Sequence, residues 1–269
     1  VCLQYLRVTL KLMESESPLL DEPILSVNLK IGDESIRSKE LQLYRLGGAR
    51  CLHPWIFFSF RFLACIYVFS IGFMWQWWVY DLEKMQIPII YLTEWGVILS
   101  FTFFATAALA SLSHIHHIQK SKASSELVRC RISTKFYHVV EHLHAIALVV
   151  EFCITILFWS LLYSSFGCGE PICITQHLLS TVLLIVDFSF NHIPFELRHL
   201  PWTFACSIAW VVVQMIWVYS GHEPSYGNLF DLRKWNSLIL LFGCFIMQTA
   251  VFYGFSKIAV YRSKPLFPF

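Results

Sequence analysis

Six long apolar runs constrain this chain more than any other feature. They cover 56–79, 88–113, 137–163, 174–190, 202–220 and 237–259. A bilayer core about 30 Å thick takes roughly 20 such residues to cross. At 57% hydrophobic residues the chain is also more apolar than an ordinary soluble domain. The pattern predicts an all-α integral membrane bundle of six transmembrane helices. The fourth run is the shortest, and the third carries several polar groups. Trp75, Trp77, Trp78 and Tyr80 cluster at the end of the first run, where an interfacial aromatic belt would lie.

Residues 1–55 show no sustained apolar period and contain Pro18, Pro23 and Gly47-Gly48. A flexible cytoplasmic arm is expected there, followed by a transmembrane domain over 56–260 and a short basic tail over 261–269. No charged-then-apolar leader with a cleavage site opens the chain, so the first span would act as its own insertion signal. The chain begins with Val1, which points to a truncated or mis-set start, with Met13 the next candidate. A net charge of +2 without a basic aromatic patch gives no reason to expect a nucleic-acid partner.

Lys and Arg set the orientation. Arg37, Lys39, Arg45, Arg50, Lys120, Lys122, Arg129, Arg131, Lys135, Arg198, Lys257, Arg262 and Lys264 fall on one side of the alternating spans. Only Lys84, Arg233 and Lys234 fall on the other. The positive-inside bias places both termini in the cytoplasm. Most of the nine cysteines sit inside apolar runs and read as small hydrophobes. Cys168 and Cys173 flank a short Gly/Pro loop and would pair only if that loop faces an oxidising compartment. The sequence does not separate the plasma membrane from the endoplasmic reticulum.

A rise of about 1.5 Å per residue converts position into depth. Thr93 and His177 then share a layer near the outer face, on helices that both run inward. Glu151 lies deeper, within reach of that layer if a helix tilts. A threonine hydroxyl is a poor nucleophile until an adjacent base takes its proton. Thr93 and His177 are therefore candidate nucleophile and base. The plainer reading is that Thr93 bonds its own helix backbone and His177 satisfies a buried contact. Tyr91, Trp95 and Gln176 lie close by in sequence as candidate supporting groups. Arg61 and Asp187 both lie near the cytoplasmic edge and are expected to form a structural ion pair.

A second set of polar residues gathers at the cytoplasmic edge: His114, His116 and His117, then His138, Glu141, His142 and His144, then His192 and His199. Imidazole and carboxylate clusters suit iron or zinc, and membrane di-iron desaturases and hydroxylases are similar in placing histidine boxes there. No full set of box spacings is present, so an interfacial histidine belt is the simpler account and no metal or cofactor is expected.

Four stretches resemble the rolling stone and androgen-induced-gene superfamily of multi-span membrane proteins. They are Tyr91-Leu92-Thr93-Glu94-Trp95-Gly96, then Ile154-Thr155-Ile156-Leu157-Phe158-Trp159, then His177 with the acidic Asp187 ten residues later, and the loop 219–235 with Gly221, Pro224-Ser225-Tyr226-Gly227-Asn228 and Trp235. The likeness covers roughly 75–265 and is nearest the rolling stone branch. Androgen-induced-gene members hydrolyse fatty acid esters of hydroxy fatty acids with a threonine nucleophile and a histidine. The resemblance puts those roles on Thr93 and His177, with a lipid substrate entering from the bilayer. The rolling stone branch is linked instead with myoblast fusion. Leu229-Phe230-Asp231 departs from a Tyr-Pro-rich run in the family's final loop and leaves the substrate open. The leading expectation is an intramembrane threonine hydrolase of lipid esters. The alternatives are a non-catalytic protein of fusion, adhesion or scaffolding, and a His-cluster metal-dependent oxygenase.

Overall fold

The computed structural model describes residues 43–48, 52–70, 90–123, 133–163 and 174–263. These are mainly helical, with loops over 191–196 and 220–226 and no strand among them. The six main helices are α1 (Pro54–Phe69), α2 (Leu92–Ala123), α3 (Thr134–Leu157), α4 (Ser180–Phe190), α5 (Leu200–Tyr219) and α6 (Trp235–Ser263). Four of them, α2, α3, α5 and α6, are long and apolar enough to cross a membrane. Helices α1 and α4 are shorter apolar helices. The aromatic cluster at 75–80, Cys168 and Cys173, most of the arm over 1–55 and the end of the tail lie outside the described residues.

Local chemistry sets several boundaries. Pro54 opens α1, where its missing N–H costs nothing. Ser133 caps α3, its Oγ accepting from Lys135 N at 3.1 Å and Phe136 N at 3.4 Å. Helix α5 ends in a turn at Gly221, whose φ of +91° suits a residue without Cβ. Two five-residue π-helical segments meet at one end of the bundle, Phe158–Leu162 after α3 and Thr175–Leu179 before α4. Such segments are rare and gather at functional sites.

Helices α2 and α3 form the centre. About half of the apolar window in each is buried, 50% and 56%, against 22% and 17% in α5 and α6. Helix α6 instead turns Ile239, Phe242 and Ile246 outward. That outer apolar surface is compatible with lipid contact. At the end of the stretch read as an arm, residues 43–47 form a helical turn, with Leu43 and Leu46 buried. Gly47 lies so close to α2 that a Cβ there would stand 2.5 Å from His114 Cβ.

Candidate functional site

The inner polar residues of α3 and α4 share one spacing. Glu141, His144, Glu151 and Thr155 on α3, and His177, Ser180, Asp187 and Asn191 on or beside α4, recur at intervals that keep each set on one helical face. The helices run antiparallel, so the two faces meet as a polar seam. Leu148 and Leu184, both fully buried, divide that seam into an inner and an outer layer.

The inner layer is built on Arg61. Its Nε and Nη2 donate to the Asp187 carboxylate at 2.6 and 3.2 Å, and Nη1 donates to Ser111 Oγ at 2.9 Å and to the carbonyl of Leu46 at 2.5 Å. The guanidinium also stands 4.1 Å from the centre of the Phe57 ring. Asn191 Nδ2 donates to Asp187 Oδ2 at 2.7 Å and lies 3.1 Å from His144 Nε2. Arg61 and Asp187 are thus joined, and their layer is closed by groups that the depth argument did not name: Ser111, Asn191 and His144.

The expected histidine cluster is drawn into separate partnerships. His138 Nδ1 lies 2.9 Å from the fully buried Glu141, which also accepts from Arg198 at 3.3 Å. His142 packs edge-on against His199 and Trp202. His144 joins the inner layer, while His114 contacts Tyr44 near residues 43–48. Among the described residues, no group of three or more His, Cys, Asp or Glu is placed to hold a metal ion.

The outer layer contains the candidate catalytic pair. Thr93 lines a narrow crevice with Leu92, Ile154, Phe158, Trp210, Tyr226 and neighbouring apolar residues. Loop residue Tyr226 closes over α2, its Oη accepting from Leu92 N at 3.0 Å and sharing a hydrogen bond with the Thr93 hydroxyl. Tyr91 meets the Tyr226 ring edge-on. Trp210 Nε1 donates to the Ile90 carbonyl at 3.1 Å, Gln214 Nε2 donates to the same carbonyl, and Ser225 Oγ donates to Gln214 Oε1 at 2.8 Å. Burial pushes the Tyr226 phenol up to about 12.

His177 does not line this crevice. It is stacked on Phe158, with ring centres 3.5 Å apart, and its Nδ1 is buried without a hydrogen-bond partner among the described residues. No hydrogen bond joins Thr93 to His177 among the described residues, so the direct contact suggested by their matched depth is not formed. Phe158 is their common neighbour: it lines the crevice beside Thr93 and covers the face of His177. Thr155 fixes the π segment by donating to the His177 carbonyl at 2.6 Å.

Glu151 lies in the adjoining polar layer. Its Oε1 accepts from Ser100 Oγ at 3.0 Å, and Ser180 adds a hydrogen bond from α4. Gly96 makes room for this carboxyl, since a Cβ there would stand 2.9 Å from Glu151 Cδ. Trp95 is half-buried on α2, and the Gln176 side chain lies outside the described residues. Sequence reasoning gave no role to Phe158 or Tyr226. The only earlier signal was their presence in stretches quoted for the family likeness.

The chain matches no protein-family model, no curated protein and no solved structure.

Proposed function

We propose that this chain is a six-span membrane protein with cytoplasmic termini that hydrolyses a lipid ester at Thr93, with His177 as the base. The observation that carries the reading is the partnerless Nδ1 of His177, separated by the single ring of Phe158 from the crevice that holds the Thr93 hydroxyl. A histidine buried with an open nitrogen is costly unless that nitrogen has a use. Residues from three of the four stretches that resemble the androgen-induced-gene proteins also line this crevice.

In this mechanism the Phe158 ring swings aside and His177 takes the Thr93 hydroxyl proton. Thr93 Oγ1 attacks the ester carbonyl carbon, the bond to the alcohol oxygen breaks, and the alcohol leaves with the proton from His177. Water then attacks the acyl-threonine, and the acid departs. Because Tyr226 Oη already accepts from Leu92 N, its own proton is available to donate to the developing oxyanion. The test is labelling of the reconstituted protein by a fluorophosphonate, alongside release of acid from a lipid ester. Both signals are expected in the parent and lost in Thr93→Ala and His177→Ala. Full hydrolysis in both variants would assign the chemistry to other residues.

A second reading is a non-catalytic membrane scaffold. It is favoured by the hydrogen bond that already engages the Thr93 hydroxyl with Tyr226. A parent protein that neither labels nor hydrolyses any lipid ester would favour it.

A further inference from the structure

Between α3, α5 and α6 the fold gathers sulfur atoms that lie far apart in the sequence. One crevice there is lined by Cys153 of α3 and by Cys244, Met247 and Gln248 of α6. The α6 residues stand at i, i+3 and i+4, so one helical face presents all three. Cys153 and Cys244 are free thiols, near enough to act on one another electrostatically. Taken singly, each reads as a small hydrophobe. Lining one cavity with a thioether, they make a soft donor set.

A different kind of group marks the same crevice. Gln248 is only 4% exposed, and its Oε1 accepts from Ser207 Oγ at 3.0 Å. Its Nε2, however, has no hydrogen-bond partner among the described residues. An unmet amide donor in an apolar setting is costly. This donor belongs to the residue one helical turn after Cys244. A neutral thiol is a weak acceptor, but a metal-bound thiolate carries charge and accepts a stronger bond. The unmet N–H therefore suits a crevice in which sulfur becomes negative.

The donor set also selects the metal. Among the described residues, no imidazole or carboxylate lines this crevice. Zinc takes four ligands drawn from thiolate, imidazole and carboxylate, and would find only the two thiolates. Thiolate and thioether together suit monovalent copper. Each thiol gives up its proton to water as its sulfur takes the metal. Copper(I) with two thiolates and a neutral thioether then bears one net negative charge, which the amide N–H offsets.

We infer that Cys153, Cys244 and Met247 hold a copper(I) ion between α3 and α6, with Gln248 donating to a bound thiolate. The site takes no part in the chemistry proposed at Thr93. The test is anaerobic titration of the full chain in phosphatidylcholine nanodiscs with copper(I) buffered by bathocuproine disulfonate. The starting protein carries Cys168→Ala and Cys173→Ala, which removes the most closely spaced cysteines in the sequence. It should withdraw copper from the chelator, and X-ray absorption of the bound ion should show sulfur neighbours alone. That spectrum needs no change at the site itself. Adding Cys153→Ala or Cys244→Ala should abolish retention, while Cys65→Ala, Cys206→Ala and Thr93→Ala leave it unchanged. Met247→Leu should weaken binding. Gln248→Leu should weaken it about tenfold, as loss of a group that supports a metal ligand does. The inference is overturned if no copper is withdrawn, if the spectrum shows nitrogen or oxygen neighbours, or if Cys153→Ala or Cys244→Ala still retains the ion. It is equally overturned if Met247→Leu or Gln248→Leu binds as tightly as the starting protein, or if Cys65→Ala, Cys206→Ala or Thr93→Ala loses the copper.

Discussion

Arg61 Nε lies 2.6 Å from Asp187 Oδ1, and neither side chain reaches solvent. The pair ties α1 to α4, while the remaining guanidinium donors reach residues 46, 107 and 111. Removing one partner from such a pair strands a buried charge, at a cost of about 3–5 kcal/mol. Asp187→Ala is therefore expected to destabilise the protein more than the double change Arg61→Met with Asp187→Ala, in which no charge is left alone. Denaturant unfolding of the single and double variants measures this coupling. Strictly additive losses would mean that the two charges do not stabilise one another.

Glycine substitutions are expected to differ by position. Gly96→Ala pushes a methyl to within 2.9 Å of the Glu151 carboxyl and should cost about 1–3 kcal/mol, as overpacking does. Around Gly243 and Gly254 on α6, a Cβ would meet nothing within 4 Å. Alanine there should be neutral or stabilise by up to about 1 kcal/mol through helix propensity. Thermal scans of the three variants would rank them; a Gly96→Ala protein as stable as the other two would contradict the tight approach of α2 to α3.

These contacts also mark how far the sequence can be read. Depth along a helix follows from residue count, so Arg61 and Asp187 were legible as one layer, and so were Thr93 and His177. Rotation about the helix axis does not follow from apolar runs that are hydrophobic nearly all round. That is why matched depth brought Arg61 to Asp187 but left His177 behind the Phe158 ring. The π segments at 158–162 and 175–179 rotate the neighbouring side chains further, and no spacing in the apolar pattern announces them. Tyr226 reaches Leu92 across 134 positions of sequence, from a loop whose fold rests on Trp210, Gln214 and Ser225. A local reading has no access to a contact of that kind.

Tyr226 should leave a signature at alkaline pH. Its phenol is pushed by burial from the ordinary 10 up to about 12. The folded state therefore favours the neutral phenol. The resulting stabilisation is present in full below pH 10 and is lost as pH rises from about 10 to 12. Parent protein should lose stability over that window by a component that Tyr226→Phe lacks. Denaturant unfolding at pH 9, 10, 11 and 12, read beside tyrosine absorbance, makes the comparison. Equal pH slopes in the two proteins would show that Tyr226 titrates as an exposed phenol.

Phe158 is the residue on which the proposed chemistry turns. Its ring stacks on His177 at 3.5 Å and lines the crevice beside Thr93, so the base meets the hydroxyl only after the ring moves. Phe158→Ala would open the way but leave a cavity costing about 3–5 kcal/mol, which obscures any gain in activity. Phe158→Leu keeps much of the volume at a cost nearer 1 kcal/mol and loses the flat face that holds the imidazole. Fluorophosphonate labelling of Thr93 is therefore expected to run severalfold faster in Phe158→Leu than in the parent, with Phe158→Trp slower than either. Adding His177→Ala to Phe158→Leu should abolish the gain, because the faster labelling depends on the imidazole reaching the hydroxyl. If Phe158→Leu labels no faster, or if the gain survives the loss of His177, the stacked ring is packing alone and the base for Thr93 is another group.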